Sequence, residues 1–341
     1  MAVKSTKIDT FFRHKLILIP GGAGFIGSRL ARRLCDLEAS VTIVDPFEIH
    51  GGANPFNLNG YENRVALFRE KIEEYLVSHD LQNFDLIFNC IGLTDHHIGF
   101  ENPRLDYDIN CSSGLSILRA VSAAKIKPKI IGIGSRNQYG TGKSQFTEQD
   151  RLRPLDIQSV HKTTLEQYHR CYARSSGFNH AFLRLTNTFG PAQKMNGGSI
   201  GFFGEILKGS LQGREIQIYG SLERFKDLLF VEDVVEAMLL LGMCDTDQED
   251  PVYNVGGQPC RISEILQALE QQQKQLDVRV LPFPGHIEKI DVGDAGLVTK
   301  KIKEDTGWTR KISLEKGIAD TFAFYRQHGK HYFQQTSMTH N

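Results

Sequence analysis

An α/β fold is what this sequence predicts: a doubly wound, mostly parallel sheet carrying a smaller mixed α/β lobe. Three observations predict it. Apolar runs of strand length alternate with helix-length segments from about residue 15 to residue 185, the rhythm of strand–helix–strand units. The first run, residues 16–19 (LILI), opens into glycines spaced by three: Gly21, Gly24 and Gly27. Beyond residue 185 the rhythm breaks at a glycine-rich stretch, and 341 residues suffice for one large domain plus a lobe.

The elements follow in order. Residues 1–14 are a polar preamble, expected to be poorly tied down. Residues 16–19 fit a strand buried on both faces, and residues 28–35 (SRLARRLC) read as a helix. Strand, glycine turn and helix together make a phosphate cradle. The glycines allow a sharp turn and close backbone approach, and the helix start aims free N–H groups and a positive dipole end at the anion. Residues 39–44 (ASVTIV) form a second strand ending on Asp45. An acidic residue about 20 positions after the glycines suits the two hydroxyls of an adenine ribose and repels a 2′-phosphate, so NAD is expected rather than NADP.

The loop after Asp45 is rich in Gly, Pro and Asn and long enough to suggest a function. Residues 64–68 are a strand, 72–79 a helix and 84–91 the next strand. Residues 92–104 (GLTDHHIGFENPR) read as a polar loop at the carboxyl edge of the sheet, where ligands of doubly wound sheets collect. A long helix covers 105–125, a strand 129–134 with SRNQYG at its tip, a helix 157–176 and a strand 179–185. Past that point come a helix and a short strand (215–219) before residue 220. Strands at 228–231 and 252–255 are expected to return to the main sheet around a helix at 234–243. Helices follow at 262–276, 295–306 and 313–327, and the residues from about His328 look loose and polar. The expected organisation is residues 1–185 with 221–257 as the dinucleotide domain, 186–220 with 258–330 as the second lobe, and 331–341 as a flexible tail.

Composition narrows the function classes. Lys plus Arg (40) equals Asp plus Glu (40), and no basic run interleaves with aromatics, which argues against nucleic acid. No apolar run approaches the ~20 residues that span a bilayer. The first fifteen residues lack an apolar core and a cleavage site. Six scattered cysteines without a Cys-x-x-Cys pair read as reduced thiols of a cytoplasmic protein. Twelve histidines without His-x-x-x-His spacing predict no metal site.

Several motifs in order resemble the extended short-chain dehydrogenase/reductase superfamily, specifically its NAD-dependent nucleotide-sugar epimerases and dehydratases, from Lys15 to about Tyr325. GGAGFIG resembles the family's cofactor loop, IGIGSRNQYG the strand and loop of its catalytic Ser or Thr, and HKTTLEQY the segment of its catalytic lysine. LRLTNTFGP, FKDLLFVEDVVEA, YNVGG and TGW resemble its later fingerprints. The resemblance implies a Rossmann-type domain with bound NAD and a nucleotide-diphosphate sugar between the two lobes. It also implies a homodimer formed by the helices at about 105–124 and 157–176 pairing into a four-helix bundle. Residue by residue, Ser135, Lys162 and Gln158 take catalytic positions. Gly21, Gly24, Phe25, Ile26, Gly27, Asp45, Ile72 and Lys162 hold the cofactor, and Thr94, His96, His97, Asn187 and Lys226 the substrate.

The departures matter. Four residues before the lysine the family has tyrosine; this chain has Gln158. A neutral amide is no general base near neutral pH, so Gln158 either hydrogen-bonds the sugar hydroxyl or has drifted after activity was lost. A replacement base would be Lys162, its pKa depressed by burial, or His96 or His97; His161, about 100° round the helix from Lys162, faces away. Lys226 stands where the family has a diphosphate-gripping arginine, and a second such arginine is missing from LPFPGHIEK, so that grip is altered or rebuilt with Arg224 or Lys289. Lys71 stands about where an aspartate usually meets the adenine amine. Ser135 is followed by Arg136 and Asn137 instead of an Asp–Glu pair, which argues against elimination of water. Tyr139 reads as core or cofactor-edge packing. The expected function is oxidation of a sugar ring hydroxyl to a ketone with NAD, hydride returning in the epimerase case. The alternative is a NAD- or sugar-nucleotide-binding partner without turnover.

Overall fold

The computed structural model describes residues 2–48, 50–196, 200–244 and 250–333. Strands β1 (Leu16–Pro20), β2 (Ser40–Val44), β3 (Val65–Phe68), β4 (Leu86–Phe88), β5 (Lys129–Ser135), β7 (His180–Leu185) and β11 (Val252–Val255) form one sheet in the order β11-β7-β5-β4-β1-β2-β3. Every pairing in it is parallel. The order in which strands are added reverses between β1 and β4, and a crevice opens outside the carboxyl ends of strands at such a switch point. Three smaller sheets complete the fold: β8 (Asn187–Phe189) with β10 (Phe225–Phe230) and β12 (Gln258–Arg261); β9 (Ile216–Tyr219) with β13 (Val278–Leu281); and β6 (Gln145–Phe146) with β14 (Gly296–Leu297).

The helices of the first half are α1 (Ala2–Phe12), α2 (Phe25–Asp36), α3 (Ile72–Ser78), α4 (His96–Glu101), α5 (Pro103–Tyr107), α6 (Ser113–Ala123) and α7 (Ile157–Ser176); α8 (Phe202–Gln212) and α9 (Val231–Met243) follow. One core lies between α1, α2, α9 and the sheet, with Phe12, Leu30, Ile43, Phe88 and Leu241 fully buried. A second lies on the opposite face under α6 and α7. A third holds the second lobe together around Phe189, Ile206, Ile218, Ile265 and Phe322. All six cysteines are free thiols. Among the described residues no helix is long and apolar enough to cross a membrane.

The structure corrects several expectations. The preamble is helical: Ile8 and Phe12, one turn apart, point together into the first core. The 92–104 stretch is not a loop but two short helices, started by the Asp95 carboxylate on the His97 N–H (3.0 Å) and the Asn102 amide oxygen on the Leu105 N–H (3.1 Å). The helix at 105–125 is interrupted by a π-turn, Asp108–Ser112. The 228–231 strand does not rejoin the main sheet. The outer edge of β7 is taken by β11, so β10 pairs in parallel with β8 and antiparallel with β12. Residues 331–333 of the expected flexible tail lie in a helical turn, Lys330–Phe333, whose Tyr332 is buried; residues 334–341 lie outside the described residues.

Candidate functional site

A cleft of about 1160 Å³ opens at the carboxyl edge of the main sheet, between the glycine turn, the tips of β2, β4 and β5, helix α7 and residues 185–188, 193–194 and 200–204. Its cofactor wall is mostly backbone. Gly21 adopts φ +73°, and a Cβ there would lie 2.7 Å from the Cys90 backbone; a Cβ on Gly27 would lie 2.5 Å from the Gly21 carbonyl oxygen. Only glycine lets α2 approach the turn so closely. The α2 N-cap, Gly24, supplies no side-chain cap, so the first amides of the helix stay open to a ligand.

Asp45 closes this wall. Its two carboxylate oxygens accept the Ala23 and Phe47 N–H groups, each at 3.1 Å. Burial raises its pKa, and those amides oppose the rise. Gly21, Gly24, Phe25, Ile26, Gly27, Asp45 and Ile72 all line the cleft, as do Glu48 and Lys71, ion-paired at 2.9 Å. Glycine turn, helix amides that donate to a pyrophosphate and a carboxylate that accepts ribose hydroxyls are the groups a dinucleotide needs, so the residues fit NAD.

The opposite end gathers Ser135, Gln158 and Lys162 in the same cleft. Ser135, at the tip of β5, accepts the Asn137 N–H at 3.2 Å, which leaves its own O–H to donate elsewhere. Lys162 is buried, with Nζ against Gly92, where a Cβ would lie 3.2 Å away; it hydrogen-bonds no described residue. Burial lowers its pKa to about 8, with Asp106 opposing the shift. Gln158 is also buried. Its amide nitrogen donates to the Leu93 carbonyl oxygen. Asn110, in the π-turn, holds the same residue from the other side, accepting the Leu93 N–H at 3.1 Å and donating to its carbonyl at 3.3 Å. Gln158 is thus half of a bracket on the β4–α4 connection. His161 faces away from the cleft and meets Asp106 at 2.6 Å.

A buried network fixes the loop after Ser135. Glu166 accepts from Arg184 (2.6 and 2.8 Å) and from the Gln138 amide (2.9 Å), and the Gln138 carbonyl accepts the Ser135 N–H at 2.8 Å. Tyr139 is core: its hydroxyl donates to Asn254 (2.7 Å) and accepts from Arg184 (2.6 Å).

Of the expected substrate residues, Thr94, His97 and Asn187 line the cleft. The His96 side chain lies outside the described residues. Lys226 does not line the cleft: its amine lies over the Phe202 ring (5.2 Å) and 3.7 Å from Asp291, and burial lowers its pKa to about 8. Arg224 is likewise occupied by Asp291 and, at 2.9 Å, Asp294. Sequence reasoning did not single out the lining cations Lys194 and Arg136. Lys194 donates to the Gly51 carbonyl at 3.0 Å, joining the second lobe to the loop after β2, and Arg136 follows Ser135 directly.

Residues 17–256 match the family described as the NAD dependent epimerase/dehydratase family. The chain is 27% identical to the UDP-N-acetyl-alpha-D-glucosaminuronate decarboxylase of Bacillus cytotoxicus, over 92% of this chain and 98% of the relative. It is 25% identical to the UDP-glucose 4-epimerase of Mycolicibacterium smegmatis, over 91% and 98%. Among solved structures it is similar to the UDP-glucose 4-epimerase of Thermotoga maritima with UDP-glucose (TM-score 0.81, 25% identity, 92% of this chain and 99% of that one). It also shares the fold of the UDP-glucuronic acid 4-epimerase of Bacillus cereus solved with UDP-glucuronic acid and NAD (TM-score 0.78, 20% identity, 92% and 99%).

Proposed function

This chain belongs to the NAD-dependent epimerase/dehydratase family, and from that premise we propose that it oxidises a ring hydroxyl of a nucleotide-diphosphate sugar, with hydride return as an epimerase. The relatives' names favour a uridine diphosphate sugar. The observation that carries the reading is the convergence of Ser135 and Lys162 in the cleft that begins at the glycine turn. Bound NAD supplies the acceptor for the carbinol hydride. Ser135 uses its free O–H to hold the carbinol oxygen. Gln158 positions the Leu93 backbone instead of moving a proton. The hydroxyl proton passes to the neutral amine of Lys162, whose nitrogen hydrogen-bonds no described residue. Ile72, Asp45 and the glycine turn hold the dinucleotide, and Thr94, His97 and Asn187 border the sugar. Lys226, behind Phe202, stays outside the substrate set.

The same reading takes residues 1–185 with 221–257 as the cofactor half and 186–220 with 258–330 as the sugar half, with β10 crossing to the latter's sheet. It places the protein in the cytoplasm as a homodimer through the faces of α6 and α7, where Val160 is exposed; light scattering of the purified protein tests the dimer.

The test is conversion. UDP-, GDP-, CDP- and dTDP-sugars are added to the NAD-loaded protein, and reduced nicotinamide and epimer formation are followed. Turnover with at least one sugar, cut about 100-fold in Ser135→Ala and lost in Lys162→Met, is the expected result. NAD retention without turnover on any of them would leave the chain a silent binding partner, the reading Gln158 otherwise invites.

A further inference from the structure

Arg136 is only 5% exposed, lines the cleft, and follows Ser135 directly in the turn Arg136–Tyr139. Its protein hydrogen bonds all leave from Nη1, to the carbonyl oxygens of Ala295 (2.9 Å) and Gly293 (3.5 Å). Its Nε and Nη2 donate to no described residue. Three carboxylates lie in its surroundings, and each is engaged elsewhere. Asp291 holds Arg224 and Lys226, Asp294 holds Arg224, and Asp227 accepts the Gly257 and Leu297 N–H groups at 2.7 and 3.1 Å. None forms an ion pair with Arg136. Burial pushes the guanidinium pKa down despite those acids, with Arg224 adding repulsion.

A buried guanidinium that Asp227, Asp291 and Asp294 compensate only through space, none of them in a direct ion pair, is costly to keep unless a further anion reaches it. Its unused Nε–Nη2 edge is the planar fork that matches two oxygens of a carboxylate or phosphate. Lysine could not present that pair of parallel donors.

We infer that Arg136 anchors an oxyanion of the substrate, a sugar carboxylate or a substrate phosphate, and so decides which nucleotide sugars the cleft accepts. The inference rests on the proposed sugar-nucleotide function. Because the residue adjoins Ser135, which holds the reacting oxygen, the anchored group fixes the sugar close to the reacting carbon.

Titration calorimetry of NAD-loaded wild type, Arg136→Gln and Arg136→Lys with UDP, UDP-glucose and UDP-glucuronate tests it; bound NAD and melting temperature report that each variant is folded. If the carboxylate is the source, wild type binds UDP-glucuronate at least about tenfold tighter than UDP-glucose, and Arg136→Gln removes that preference while sparing UDP. If a phosphate is the source, Arg136→Gln weakens all three ligands by a similar factor of about ten or more. Arg136→Lys, which keeps charge without the fork, shows a smaller loss of the same pattern and decides the matter should the Gln variant not fold. Unchanged affinity for all three ligands in a folded, NAD-loaded variant overturns the proposal. A wild type that binds none of them overturns this inference as well, whereas the proposed function stands or falls on turnover of the GDP-, CDP- and dTDP-sugars.

Discussion

The two walls of the cleft are built by different rules. The cofactor wall comes from one short stretch: glycines that cannot carry a Cβ, open amides of α2, and a carboxylate 22 positions along that reaches back to the Ala23 N–H. The sugar wall is assembled from side chains far apart in the chain. Ser135, Gln158, Lys162 and Lys194 meet there only because β5, α7 and the segment after β8 converge. Backbone recognition tolerates little substitution, whereas side-chain recognition can be re-specified. The chain accordingly keeps a complete dinucleotide turn on the first wall and carries Gln158 on the second.

The sharpest way to break the comparison is at the cofactor wall. Gly27→Ala forces a Cβ against the Gly21 carbonyl and the Gly22 backbone. NAD affinity should fall about 10- to 100-fold, measured by nucleotide released on gel filtration, with the fold retained. Unaltered retention would mean the turn is not the binding element.

A second test sharpens the sugar side through Lys162. Its pKa lies below the ordinary lysine value, so roughly a tenth of the amine is neutral at pH 7 if the value is about 8. If the neutral form accepts the proton, the oxidation rate rises nearly tenfold per pH unit below that value and levels above it. A rate that falls above pH 8 would instead assign the work to the ammonium form.

The smallest effect is expected where the two halves are sewn together. The Tyr332 hydroxyl donates to Asn57 at 2.6 Å, and the Asn57 amide donates to the Ala23 carbonyl of the glycine turn at 2.9 Å. Tyr332→Phe should cost about 1 kcal/mol of stability by denaturant titration and release NAD a few-fold faster. No change in either would make the contact incidental to cofactor binding.

These walls also differ in how far the sequence discloses them. Glycine spacing, the apolar strand before it and Asp45 are local, so the parallel sheet and NAD were legible directly. Ser135 and Lys162 were legible through family motifs. Arg136 and Lys194 were not, because their significance lies in what fails to pair with one and in a carbonyl 143 residues from the other. Helices α4 and α5 hid behind a polar, Gly- and Pro-containing stretch without apolar period. Their signal was the caps, Asp95 and Asn102 with Pro103 behind it. At the amino end, Ile8 and Phe12 gave one helical turn of apolar spacing, too short a pattern to stand out among polar neighbours. The route of β10 depended on which edge of β7 was free, a question of strand competition that no single segment answers.

The seam at Asn57 has a temporal side. Its two ends, Asn57 and Tyr332, are 275 residues apart, and Phe56 stacks on His331 at 3.9 Å beside it. On the ribosome, the glycine turn and its first strands emerge long before the residues that brace them. A nascent chain therefore carries a nucleotide cradle without this brace until translation passes Tyr332.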